Sequence, residues 1–154
     1  MNDYPLLVFD FDGVIVDGMH EYWWSSRQAC LELLKTDSLA AALPDSVPTT
    51  FRQLRPWVHH GWEMVLLTAE IIRPNSALQR LGATVFSRNY SQHCEEALAA
   101  WNWRPDQLQE ALERVRTQAI AYDRSNWLAK HKAFPGVVHR LNQLQDEGYE
   151  LAVL

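Results

Sequence analysis

Much that would point to other function classes is scarce or missing in this sequence. Two cysteines, Cys30 and Cys94, stand among 154 residues. That is too few for a disulfide framework and suits a reducing cytoplasm. No run of 18 apolar residues exists, so no membrane-spanning helix is expected. Asp10 and Asp12 interrupt the early apolar run, which therefore does not read as a signal peptide. Fourteen Lys and Arg face nineteen Asp and Glu, a net charge of −5. That balance lacks the basic footprint of a nucleic-acid binder. There is no Gly-x-Gly-x-x-Gly fingerprint, no internal repeat and no low-complexity tract. Gly13 and Gly18 have phosphate-loop spacing, but Met19 and His20 occupy the Lys and Ser/Thr positions. A calcium loop fails too, because Gly13 follows the first acidic residue by too few positions. His93-Cys94 has no partner at ligand spacing.

What is present begins with Leu6-Leu7-Val8-Phe9-Asp10-Phe11-Asp12-Gly13-Val14-Ile15-Val16-Asp17. The apolar stretch is too short for a helix and has the composition of a buried strand. Alternation along a strand places Asp10 and Asp12 on one side, with Phe9 and Phe11 turned to the core. In open α/β sheets, ligands bind beyond the carboxyl ends of the strands. Gly13 allows a sharp turn and close approach of a ligand. Two adjacent carboxylates repel, so the pair favours a cation or a shared proton. Oxygen ligands suit Mg²⁺, and an aspartate can also act as a nucleophile. The plainer alternative is an Asp-Gly turn with solvated carboxylates.

This segment resembles the first motif of the haloacid dehalogenase-like hydrolases, an apolar strand running into Asp-x-Asp-Gly. A second resemblance lies at Phe134-Pro135-Gly136-Val137, followed by Leu141, Leu144, Gly148, Tyr149 and the apolar stretch from Glu150 to Leu154. In that superfamily such a segment returns to the core after an inserted cap, starts a helix and leads into the second strand. The resemblance implies an α/β fold. Residues 1–17 and 134–154 would form part of a parallel Rossmann-like core, and residues 18–133 a helical cap. Gly61-Trp62-Glu63-Met64, with Arg55-Pro56 upstream, resembles a cyanobacterial subgroup.

The intervening stretch carries helical signals. Trp23, Arg27, Cys30, Leu31 and Leu34 predict a helix over 21–35. Residues 36–49 read as a linker. Thr50 and Gln53 form a capping box for a helix that Pro56 breaks. Residues 57–72 keep a helical rhythm, although Met64 to Thr68 imitates the family's second strand motif. Residues 73–94 are weakly patterned, with Gly82 a helix end. Short helical signals follow from Glu95 to Trp101. Asp106 to Tyr122 is the clearest helix, with Leu108, Leu112, Val115, Ala119 and Tyr122 in one stripe. Ser125 is placed to cap a short segment after it. Pro135 suits a first helical turn, and Gly148 ends the helix it opens. Seven tryptophans lie between Trp23 and Trp127. Helix packing accounts for them, the alternative being that one or two, Trp62 among them, line a substrate cleft.

The resemblance implies a Mg²⁺-dependent phosphatase acting on a small phosphorylated metabolite. Asp10 would attack phosphorus and form an aspartyl-phosphate. Asp12 would protonate the leaving oxygen and later deprotonate water. The metal would meet the Asp10 carboxylate and the Asp12 carbonyl. Gly13 would serve the turn toward the substrate, and Asp17 would support the segment by hydrogen bonding. An aspartate at position 12 argues against a dehalogenase, while phosphonate hydrolysis and phosphomutation stay open. Arg55, His59, His60 and Glu63 cluster near a helix break where a substrate-reading loop would lie; a solvated face or structural hydrogen bonding is the plainer reading of each. The chain stops at Leu154, where the family would place a phosphate-binding Ser or Thr. The expectation is therefore a fragment, inactive alone, of a longer enzyme. The alternatives are a short protein that completes its sheet by self-association, and a non-catalytic binding module derived from the family.

Overall fold

Strands occupy the two ends of the chain and helices fill the middle, an α/β mix dominated by helix. The computed structural model describes residues 5–34 and 36–154. Met1 to Tyr4, the start of the expected core segment, and Lys35, the end of the helix expected over 21–35, lie outside the described residues.

β1 (Leu6–Phe9) leads through a turn into β2 (Val16–Asp17) and α1 (Met19–Leu33). Then come α2 (Asp37–Ala41), α3 (Thr49–Leu54), a 3₁₀ turn at Arg55–Trp57 and α4 (Gly61–Ile72). α5 (Ala77–Leu81), α6 (Ala83–Arg88), α7 (Tyr90–Trp101) and α8 (Pro105–Leu128) complete the helical body. β3 (Lys132–Ala133), α9 (Val137–Asp146) and β4 (Glu150–Val153) close the chain.

β1 and β4 pair in parallel, with Leu6 opposite Glu150 and Phe9 opposite Val153. Val16-Asp17 and Lys132-Ala133 pair antiparallel. This short ribbon zips together the two strands of chain that run between the αβ piece and the helical body. Phe134 N donates to Ile15 O at 3.0 Å, extending the ribbon by one bond.

The buried core lies in the helical body. α4 packs against α1 and α8, and α1 packs against α8. Residues Glu63 to Glu70 of α4 are all buried, as expected of a helix covered on every side. That is why Met64 to Thr68 imitates a strand: periodicity vanishes when both faces of an element are apolar. Thr68 satisfies its hydroxyl by donating to Met64 O at 2.8 Å. Trp23 lies edge-on to Phe51, with ring centroids 5.1 Å apart.

Two buried carboxylates tie the helices together. Glu70 accepts from Arg73 Nε at 2.6 Å, Arg73 Nη2 at 2.8 Å and Trp101 Nε1 at 2.9 Å. Glu21 of α1 accepts two bonds of 2.8 Å from Arg116 of α8 and one from Ser25. Burying a carboxylate is costly unless its oxygens are satisfied, and both are.

Several local expectations are corrected. The linker over 36–49 contains a short helix, α2. The Thr50–Gln53 capping box does not form, because α3 starts at Thr49 directly after Pro48 and leaves Thr50 inside the helix. Residues 73–94 hold three helix starts, α5 and α6 being too short to show a 3.6-residue period. Gly82 does end α5, at φ +75°. α7 begins at Tyr90, five residues ahead of the expected Glu95. α8 extends to Leu128 but loses helical geometry at Asp123, whose Oδ1 accepts from Asn126 N at 3.0 Å. Asp123, not Ser125, caps the segment beyond. Tyr122 is 94% exposed, so the apolar stripe of α8 stops short of it. Pro135 lies ahead of α9, which starts after Gly136 at φ +80°.

Candidate functional site

Beyond Phe9 the chain makes a tight turn. Phe11 O accepts from Ile15 N at 2.9 Å and Val16 N at 3.1 Å, and Gly13 N donates to Val16 O at 2.8 Å. Gly13 sits at φ +78°, a left-handed backbone that disfavours a side chain there. This turn uses the carbonyl of Phe11 twice and none of the Asp12 carbonyl. Phe11 itself is 43% exposed rather than turned to the core, since its backbone closes the turn while its ring stays outside.

Asp17 then accepts a hydrogen bond from Met19 N at 2.9 Å, holding the first free amide of α1. Gly18, between them, has no room for a β-carbon. One built there would stand 2.6 Å from Tyr22 Cζ and 2.8 Å from its hydroxyl. The end of the Tyr22 ring therefore rests on the Gly18 backbone. Across the ring face lies the Arg55 guanidinium, its Cζ 4.6 Å from the centroid.

These residues enclose a cleft of about 310 Å³ between the ribbon turn and the helical body. It is lined by Asp12, Gly13 and Asp17 from the strand turn and by Tyr22, Arg52 and Arg55 from the helical body. Phe134 reaches in from the returning strand. Burial, then the nearby Asp12 carboxylate, hold the Tyr22 phenol above its ordinary pKa, with Arg55 opposing both. Tyr22 is thus a protonated hydrogen-bond donor across the neutral range.

Of the residues singled out from sequence, Asp12, Gly13, Asp17 and Arg55 meet in this one cleft. Asp10 stands next to it, at the carboxyl end of β1, exposed and outside the lining. One of its oxygens, Oδ1, accepts from Phe11 N at 2.7 Å. Glu63 is elsewhere: it is buried, and its Oε2 accepts from His59 N at 2.7 Å, His60 N at 3.4 Å and the Tyr90 hydroxyl at 3.2 Å. It fastens the start of α4 and does not border the cleft. His59 and His60 are exposed. Trp62 stacks on His60, with ring centroids 6.3 Å apart, away from the cleft. Sequence reasoning missed Tyr22, Gly18 and Arg52. The four-residue step from Gly18 to Tyr22 was the one available signal, since it places them one helical turn apart.

Among the described residues no group of three or more His, Cys, Asp or Glu side chains converges as a metal cage. At the turn, one Asp10 carboxylate oxygen is not used by Phe11 N, and the Asp12 carbonyl accepts no hydrogen bond among the described residues; both are hard oxygens. Mg²⁺ commonly takes one or two carboxylates and keeps several waters, so this donor set fits it.

Comparison of the chain with protein families, characterised proteins and solved structures found no match. Among the described residues no helix is long and apolar enough to cross a membrane.

Proposed function

We propose that this chain carries the nucleophile end of a phosphoester hydrolase of the haloacid dehalogenase type, acting on a small phosphorylated metabolite. The observation that supports this reading is the Asp10-Phe11-Asp12-Gly13 turn. It leaves the carboxyl end of a strand with a parallel neighbour, and Asp12 faces a cleft walled by two arginines of a helical body.

In this reading an Asp10 carboxylate oxygen attacks phosphorus, and the bond between phosphorus and the ester oxygen breaks. Protonated Asp12 gives its proton to the leaving oxygen. Asp12, now a carboxylate, takes a proton from water, whose oxygen attacks phosphorus in turn. The bond from phosphorus to Asp10 breaks, releasing phosphate and restoring the free aspartate. The Asp10 carboxylate and the Asp12 carbonyl would hold Mg²⁺, which when bound neutralises charge on the phosphoryl oxygens. The ribbon of β2 and β3 ties the turn to the helical body that carries the arginines.

The test is hydrolysis of p-nitrophenyl phosphate by the protein in Mg²⁺. Asp10→Asn should lower turnover by about a thousandfold or more with an unchanged circular dichroism spectrum. EDTA should abolish turnover in the unsubstituted protein. Activity that survives Asp10→Asn would refute the nucleophile assignment.

A further inference from the structure

Six arginines pair with carboxylates: Arg27, Arg73, Arg104, Arg114, Arg116 and Arg140. Among the described residues Arg52, Arg55, Arg80, Arg88 and Arg124 form no ion pair, and of these Arg52 and Arg55 border the cleft that Asp12 lines. Arg55 Nε is buried with no hydrogen-bond partner. Its guanidinium is held in place over the Tyr22 ring, and that ring is seated on Gly18, so its position does not depend on a protein anion. A buried guanidinium N–H left unpaired is costly, and the cost is removed when an anion arrives. Arginine is the side chain best shaped to grip a carboxylate or phosphate with two parallel bonds. The cleft therefore takes its carboxylates from the strand turn and its guanidinium groups from the helical body.

We propose that Arg52 and Arg55 form a subsite for a second anionic group of the substrate, a carboxylate or a further phosphate. This places the substrate among small phosphate esters that are acidic at both ends. It rests on the reading of Asp10 and Asp12 as the phosphoester end of the cleft. A single anion at the arginines would leave the strand turn without a reacting group. A substrate with one phosphate and a neutral tail would leave the arginines unpaired. A volume of about 310 Å³ admits a short molecule bridging the turn and the arginines.

The experiment is calorimetric titration in Mg²⁺ with three esters. 2-Phosphoglycolate carries a carboxylate, propane-1,3-diol bisphosphate a second phosphate, and glycerol 1-phosphate a neutral tail. At least one two-ended ester should bind about tenfold or more tighter than glycerol 1-phosphate. Whichever of the two is tighter identifies the second anion. In Arg52→Gln and in Arg55→Gln the ratio should fall toward one. Arg52 is exposed, so its variant carries the test if loss of the Arg55–Tyr22 stack disturbs folding, which circular dichroism reports. Equal affinity for all three esters, no binding of any, or an equal weakening of all three in both variants overturns the subsite. The phosphatase reading fails separately: a two-ended preference with no turnover of any ester refutes hydrolysis and leaves the subsite standing. Hydrolysis without preference does the reverse.

Discussion

The Tyr22 ring ends on the backbone of Gly18, where a β-carbon would lie 2.6 Å from Tyr22 Cζ. Gly18 has φ −81°, which any residue adopts, so glycine is needed there for space and not for its torsion. One missing methyl thus lets a helix side chain lie over the strand turn, between Asp12 and Arg55.

Gly18→Ala should accordingly push the Tyr22 ring away and lower stability by about 1–3 kcal/mol, read from urea unfolding. The same change made in a Tyr22→Ala background should cost much less, because the atoms that collide are gone. Equal costs in the two backgrounds would mean the contact does not constrain the turn.

Glu63 serves the fold. Its carboxylate collects two backbone amides at the start of α4 and the Tyr90 hydroxyl. Glu63→Gln keeps the shape but removes the charge facing the helix N-terminus. A loss of about 1–2 kcal/mol is expected, with affinity for phosphate esters unaltered. A selective loss of ester binding at unchanged stability would return Glu63 to the substrate site.

Both thiols are structural. Burial pushes Cys30 and Cys94 each up to about 12. An unfolded thiol titrates near 8.5. Because the folded values are raised, their contribution to stability is complete below about pH 8.5 and is lost as pH rises toward 12. At pH 10 the loss should be about 1–2 kcal/mol per thiol, seen as a lower urea midpoint than at pH 7. At pH 8 neither thiol should react with a disulfide reagent until urea is added. Rapid labelling of the native chain would contradict this assignment.

Strands at the two ends of the chain and a mostly helical middle could be read from the chain, while the parallel pairing was expected only through the family resemblance. An apolar strand pattern at each end and a 3.6-residue rhythm between them are local properties. Asp12 and Gly13 were legible for the same reason, since the turn that presents them is built within six residues. Arg55 stood out as a neighbour of a helix break and as part of a subgroup resemblance. Glu63 looked the same from sequence, yet one borders the cleft and the other is buried. The difference is the direction of each side chain as the chain passes from the 3₁₀ turn into α4, which residue identity does not encode.

The sequence by itself determined the strand ends, the acidic turn and a helical middle rich in tryptophan. Each follows from propensity and periodicity over a few neighbouring residues. Only the tertiary structure decided that Tyr22 and Arg55, 33 positions apart in sequence, stack over one another beside Asp12. It also decided that Arg52 and Arg55 border the cleft with no ion pair among the described residues. Those relations depend on how α1 and the turn after α3 pack around α4, a matter of burial and volume between distant segments rather than of local pattern.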